Sequence, residues 1–477
     1  MAGKRGGKRE ERRDERRDER RKEKLEQPSA KKGRSTAKTG GASKPAQAAR
    51  IDPVPSAESL APLLAEAREL QPRMVALRRA IHADPELGFD NPRTREKLVA
   101  QLEGLGLDLT LHRRTTGVVA VLRGEAGLET SVDRRGRAHG ADGRGAPRRV
   151  LLRGDMDALP MPEETGLAYR SKIEGRMHAC GHDAHVAMLV GAAHLLARRR
   201  RELAGEVVFM FQPGEEGFGG ADVMLDEGMP DVDGAFALHV APPLPTGMVG
   251  TKPGPLMAAF DDFEIDVVGR GGHASMPQDC IDPVPIACEI VLALQSFVSR
   301  EIPATDAGVL SVTRIHGGTA NNVIADSVRL QGTLRALSAR TREALATGLR
   351  RVAEGIARAH RAEATVRILP GYPVAANDAG FEAFARGVAG ELLGANAVLT
   401  LPSAVMGAED FAYVLERVPG AMLLLGVRPP GVQDPAPCHS TRMLLDEEAM
   451  PLGAALHAAI ATRYLAADRR GPIVAGG

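Results

Sequence analysis

The sequence predicts an α/β fold: a split α/β domain with a central sheet flanked by helices, and a ferredoxin-like α+β domain inserted into it. Three observations carry this expectation. Apolar runs at 150–152, 207–211 and 235–238 each end in polar residues, as strands buried on both faces of an α/β sheet do. Between residues 258 and 370 the pattern changes to β-α-β-β-α-β, the ferredoxin-like order. After Tyr372 the α/β texture returns, so the middle segment reads as an insert.

The length, 477 residues, is too great for one core and fits two domains with appendages. We divide it into a charged tail and linker (1–55), a first part of the α/β domain (56–257), the insert (258–370) and a second part (371–470). Hydrophobic residues make up 43% and aromatics 3%, with no Trp, so the cores must rest on Leu, Val, Ala, Ile and Met. A formal net charge of +1 argues against a generally basic nucleic-acid binder. Four cysteines in so long a chain make no disulfide framework. Two of them, Cys180 and Cys438, have histidines close by, which favours metal chemistry in a reducing, cytoplasmic compartment.

The first 50 residues are charged and of low complexity, centred on ERRDERRDERRKEK. That spacing supports a transient helix with no apolar face to bury, hence a solvated tail, with contact to nucleic acid a secondary expectation. No apolar segment marks a secretory signal, the acids argue against a mitochondrial presequence, and no later stretch reads as long enough to span a membrane. Leu60 to Ala80 has helical spacing, GVVAVLRG (117–124) reads as a strand, and the Gly- and Arg-rich 124–149 as a surface insertion. RRVLLRGDMDALP, GEVVFMFQPGEEG and DGAFALHVAP are strands ending in Asp155 and Asp157, Glu215 and Glu216, and His239. In the insert, FEIDVVGRGGHAS, GVLSVTRIHGG, SVRLQGTLRAL and EATVRILPG read as strands, with helices from Pro283 to Glu301 and over TREALATGLRRVAEGIARAH. The last part holds a helix from Phe381 to Leu393, the strand AMLLLGV, a loop with His439, and a helix from Glu447 to Leu465.

Chemistry concentrates at MHACGHDAHVAMLVG (177–191), where His178, Cys180, His182, Asp183 and His185 precede an apolar helical pattern. A thiol and imidazoles at this density suit zinc, manganese or a similar ion. In α/β sheets, sites form beyond the carboxyl ends of the strands, where the two Asp, the two Glu and His239 fall. Their convergence with the Cys-His cluster predicts a metal site.

The pieces IHADPELGF, GDMDALP, MHACGHDAH, FQPGEEG, ALHV, GRGGHASMP, GGTANNVIAD, GTLRA, GAEDFA and CHS follow one another from roughly His82 to the C-terminal helix. In this set the chain resembles the dinuclear-metal aminoacylase–carboxypeptidase family of metallopeptidases, most nearly its hippurate hydrolase and auxin-conjugate (IAA-amino acid) amidohydrolase branch. The resemblance implies a split catalytic domain, an inserted satellite domain that dimerises, and hydrolysis of the amide bond of an N-acetyl, N-benzoyl or similar N-acyl amino acid. It implies two divalent ions (Mn, Zn or Co) held by Cys180, His182, Glu216, His239 and His439, with Glu215 as general base and later acid. Asp157 is expected to orient a ligand, while His178, Asp183 and His185 either do the same or cap and pack the helix. His273 of GGHASMP matches the family histidine that reaches over the site to polarise the scissile carbonyl, from its own or the partner subunit. Asn322 and Arg335 match positions associated with the substrate carboxylate, which Arg grips well. NVIA in place of NVIP, the 124–149 insertion and the basic tail depart from the family pattern. Within the family the alternatives are a dipeptidase, a carboxypeptidase or an N-acetyl-diaminopimelate deacetylase. Outside it stands a catalytically silent binding protein, against which intact Glu215, Glu216 and His439 speak.

Overall fold

The apolar runs become the parallel centre of an eight-stranded sheet. In chain order the strands are β1 (Asp108–Leu111), β2 (Val118–Arg123), β3 (Arg148–Asp155), β4 (Gly205–Gln212), β5 (Gly234–Pro245) and β6 (Val249–Thr251). The insert contributes β7 (Ala259–Val268), β8 (Gly308–Gly317), β9 (Ser327–Ala336) and β10 (Glu363–Pro370), and the chain then returns with β11 (Val398–Thr400) and β12 (Gly420–Arg428). The computed structural model describes residues 60–126, 130–132, 138–140 and 147–467. The tail and linker lie outside these residues, as does most of the 124–149 insertion, within which Thr130–Val132 and Ala138–Gly140 pair as an antiparallel hairpin.

The main sheet runs β1-β2-β4-β3-β5-β12-β6-β11. Strands β4, β3, β5 and β12 are mutually parallel, and β2 and β1 add an antiparallel edge. Val150, Leu152, Val207, Phe209 and Phe236 are fully buried, as strands covered on both faces require. Strand β5 corrects one expectation. The sequence pattern puts His239 just after the strand, but β5 continues beyond it because β12 pairs alongside, from Gly420 opposite Ala235 through Leu424 opposite His239 to Arg428 opposite Pro245.

Helices α1 (Ala61–Glu69) and α2 (Gln71–His82) replace the single helix expected at 60–80, since Pro72 in the first turn of α2 cannot continue a ladder from α1. They are followed by α3 (Pro92–Leu102), α4 (His182–Arg198), α5 (Gly220–Glu227), α6 (Pro283–Glu301) and α7 (Ala339–Ala359) in the insert, α8 (Ala379–Leu393) and α9 (Met450–Ala466). Every residue of α4 from His182 to Leu196 is buried, so the metal-competent stretch opens onto a helix with no solvent face.

In the insert the sheet order β8-β9-β7-β10 is antiparallel throughout, the ferredoxin-like arrangement. Strand β7 alternates buried and half-buried residues, and Phe263, Ile265 and Val267 pack with Ile290 and Leu294 of α6 and Leu349 of α7. Helix α6 corrects the membrane expectation: by length and composition alone it could cross a bilayer. Here its apolar face (Ile286, Ile290, Leu294, Phe297) is buried on the sheet.

Candidate metal centre

Cys180 and His182 flank Gly181, whose φ of +84° turns the chain into α4. A Cβ on Gly181 would lie 2.4 Å from Val240 Cγ2, so glycine alone lets this turn press against β5. Cys180 Sγ consequently lies 3.4 Å from His239 Nε2 on that strand. His239 Nδ1 bonds the Val240 carbonyl and His182 Nδ1 the Asp157 carbonyl, both at 2.8 Å. Each carbonyl accepts a hydrogen bond from Nδ1–H, which orients the ring and turns its Nε2 towards Cys180. Cys180 Sγ and these two nitrogens lie within 4.8 Å of one another. Nε2 of His182 is buried without a hydrogen-bond partner among the described residues. Burial alone would lower the His182 pKa, but the carboxylates of Asp155, Asp157 and Glu216 push it up to about 10. That field favours a cation at this point.

Glu215 and Glu216 occupy the turn between β4 and α5. Their amides donate to the two oxygens of Asp157, at 3.0 and 3.1 Å, so one carboxylate fixes both backbone positions. The side chains then part. Glu216 Oε1 lies 3.3 Å from His439 Nε2 and 3.9 Å from His182 Nε2, and Cys180, Glu216 and His439 form a second set of donor atoms within 4.8 Å. Glu215 Oε2 also lies 3.9 Å from His182 Nε2, but its carboxylate sits within 4.8 Å of Glu409 and Asp410. Burial, then the charges of Glu409, Glu216 and Asp410, push Glu215 well above the usual carboxylate range. Burial raises Glu216 too, yet His439 and His182 outweigh it and its pKa falls. Adjacent carboxylates driven apart in this way suit separate tasks, one carrying a proton and one staying charged. His439 itself adopts a left-handed φ of +67°, a strained backbone for a residue other than glycine. Its N–H donates to the Ala179 carbonyl at 2.7 Å, which fastens the CHS loop beside Cys180.

The structure thus brings together Cys180, His182, Glu216, His239, His439, Glu215 and Asp157. It divides the three residues left open. His185 engages both ring nitrogens, with Asp155 Oδ1 at 2.6 Å and the Val240 N–H at 2.9 Å, so it steadies β5 beside His239. Asp183 accepts from Arg78 and His82, at 3.0 and 2.8 Å. His178 is buried with neither ring nitrogen hydrogen-bonded among the described residues, its pKa pushed down to about 3, chiefly by burial. His273 and Asn322 stand apart from this cluster. Both are exposed on the ribbon in which Gly272–His273 pairs with Val323–Ile324; His273 Nδ1 bonds Ser275, and the Asn322 carbonyl accepts from Ala274. Arg335, near the end of the inner strand β9, donates to the Met406 carbonyl at 3.0 Å.

Sequence reasoning missed a buried network behind Glu215. Arg153, fully buried, donates to Gln212 at 2.8 Å and pairs with Asp155, Glu409 and Asp410 at 2.5, 2.7 and 3.0 Å. The adjacent acids of GAEDFA were the available signal. Tyr372 was missed as well: its hydroxyl donates to the Glu215 carbonyl at 2.5 Å and accepts the Gly219 N–H at 3.0 Å, and no spacing pointed to it.

The model of peptidase family M20/M25/M40 matches residues 151–463. The chain belongs to this family. Relatives of the M20 protein include the IAA-amino acid hydrolase ILR1-like 4 of Arabidopsis thaliana, 38% identical over 82% of this chain and 86% of the relative. N-acetylcysteine deacetylase of Bacillus subtilis is 39% identical over 82% and 97%. Among solved structures, a dinuclear metal binding peptidase of the M20 family from Bacillus subtilis superposes with a TM-score of 0.70 at 34% identity, over 84% of this chain and all of that one. The M20 protein is accordingly a hydrolase that acts on amide bonds, built as a catalytic α/β domain with an inserted satellite domain.

Proposed function

We propose that this M20 protein is a metal-dependent amidohydrolase that frees an amino acid from an N-acyl conjugate. The two overlapping donor sets, Cys180–His182–His239 and Cys180–Glu216–His439, carry the reading. Thiol, imidazole and carboxylate donors fit two divalent ions, and the buried His182 Nε2, without a hydrogen-bond partner among the described residues, argues that this atom is kept for a ligand. Bound there, the ions supply Lewis acidity and lower the pKa of a water molecule. Glu215 takes the attacking water's proton and returns it to the leaving amine, tasks for which a raised carboxyl pKa is suited. Asp157 holds the Glu215–Glu216 backbone still while this happens.

His273 is the proposed carbonyl-polarising group. Ser275 N–H donates to its Nδ1 at 3.2 Å, which places the ring proton on Nε2 as a donor. Delivery requires closure of the insert or a partner subunit. A homodimer through the insert is favoured by β8, an edge strand with Val309 and Ile315 exposed, and by the exposed Leu292 of α6. Arg335 and Asn322 are assigned to the carboxylate of the amino-acid moiety. The names of the two relatives, one acting on IAA-amino acids and one on N-acetylcysteine, support the substrate class.

Protein loaded with Mn²⁺, Zn²⁺ or Co²⁺ should hydrolyse at least one class among N-acetyl, N-benzoyl and indole-acetyl amino acids. EDTA should abolish the activity and a divalent ion restore it. Cleavage of unblocked dipeptides with none of the three acyl classes touched would overturn the substrate assignment.

A further inference from the structure

The chain enters the insert at 258–260 and leaves it at 371–372, and these two crossings lie side by side. Phe260 N–H donates to the Tyr372 carbonyl at 3.1 Å, and the two rings meet edge to face with centroids 4.9 Å apart. Asp261 accepts the Gly371 N–H at 3.1 Å and is gripped by Arg342 of α7 at 2.8 Å, so the crossing is fastened to the insert. The Tyr372 hydroxyl points the other way, into the turn that carries both active carboxylates, and holds it at the Glu215 carbonyl and the Gly219 amide.

We propose that Tyr372 is a positioning residue for the Glu215–Glu216 turn, and that it makes the placement of both carboxylates depend on how the insert sits at its crossing. The catalytic half of this inference rests on the functional reading above; the structural half does not. Four of the eight residues at 213–220 are glycine, which widens the backbone's freedom, and within the turn Gly217 donates to the Glu215 carbonyl at 2.7 Å and Gly220 to the Gly214 carbonyl at 3.0 Å. It is held from two sides. Asp157 takes its amides, but Asp157 follows β3 and moves with the α/β domain. Tyr372 takes a carbonyl and an amide flanking Gly217, and Tyr372 stands at the join. Burial beside Asp410 and Glu215 keeps the phenol protonated, so it stays a donor. Rotation of the insert about the paired crossings would therefore move the Glu215 carbonyl through one hydrogen bond. Since His273 rides on the insert, the same motion that delivers a carbonyl-polarising group would seat the proton carrier.

Tyr372→Phe in the full-length, Mn²⁺-loaded protein removes the hydroxyl and keeps the ring on Phe260. Peptide-resolved hydrogen–deuterium exchange should show 213–220 exchanging about tenfold faster, the equivalent of one net hydrogen bond, with β3 and β4 unchanged. With an N-acyl amino acid, kcat should fall roughly 10- to 100-fold while KM stays within about twofold and metal content is unaltered. Phe260→Leu, which loosens the crossing and leaves the hydroxyl, should speed exchange in the same segment by a smaller factor. Unchanged exchange at 213–220 in Tyr372→Phe would overturn the proposal. So would a rise spread evenly over the molecule, the mark of a merely structural side chain. Loosening in Tyr372→Phe but not in Phe260→Leu would overturn the link to the insert. If the wild-type protein cleaves no N-acyl amino acid, the exchange result still decides the positioning role, and the failure belongs to the functional reading alone.

Discussion

Glu215 and Glu216 are neighbours in sequence with opposite electrostatic surroundings, acids around the first and histidines around the second. Removing the proton carrier and removing a metal donor should therefore have different consequences. Glu215→Gln should retain the metal complement measured by elemental analysis and lose about 10²–10⁴-fold in kcat, the usual worth of a general base. Cys180→Ser, which replaces a thiolate shared by both donor sets with a hard hydroxyl, should instead lose bound metal. Near-normal turnover in the first variant, or full metal content in the second, would contradict these roles. The residues named here were legible in the sequence because they come in dense polar clusters at the ends of apolar runs. Arg153 was not. A single Arg within a strand reads as a surface residue, and only the folded chain reveals three carboxylates closing around it.

At the scale of elements, the N-terminus of α4 is braced from behind by α2. Asp183 in its first turn accepts from Arg78 and His82, and His82 Nε2 reaches Glu163 at 3.2 Å. Burial alone would lower the His82 pKa, but Asp183 and Glu163 outweigh it and push it up to about 9. Burial would raise Glu163, but His82 and the Ser171 amide bring it down to about 2. The signs follow. The His82 contribution is complete below its unfolded pKa of about 6.5 and is lost as pH rises through 9. The Glu163 contribution is complete above about 4.3 and is lost as pH falls towards 2. The thermal midpoint should thus decline between pH 7 and 9.5 in the wild-type protein, and the decline should be shallower in His82→Asn; equal slopes by calorimetry would exclude His82 as the source. Periodicity gave the helices of the insert almost residue by residue. It failed at β5, where Pro242, Pro243 and Pro245 disguise a strand that continues only because β12 lies beside it. It failed again at 60–80, where a continuous apolar pattern hid the break before Pro72.

For the whole molecule, the ferredoxin-like order of the insert was legible because each of its elements has a clean period, while the dependence of the site on the insert was not, because it runs through single residues at the crossings. Sedimentation should show a dimer that Ile315→Glu on the exposed edge of β8 converts to monomer. If His273 acts across that dimer, mixing inactive Glu215→Gln and His273→Ala proteins should recover part of the lost activity, and monomeric behaviour of the wild type would remove the trans arrangement. The buried guanidinium carries one more consequence, for the order of assembly. Arg153 leaves the ribosome 256 residues before Glu409, with the whole insert between them. Until Glu409 and Asp410 have been made, Arg153 has one of its three carboxylate partners, Asp155 on the same strand, and burying a cation so incompletely paired is unfavourable. The catalytic domain is thereby kept from locking early. A chain cut within the insert carries four of the five proposed metal donors but lacks Glu409 and Asp410, so it should be more protease-sensitive than the full-length protein.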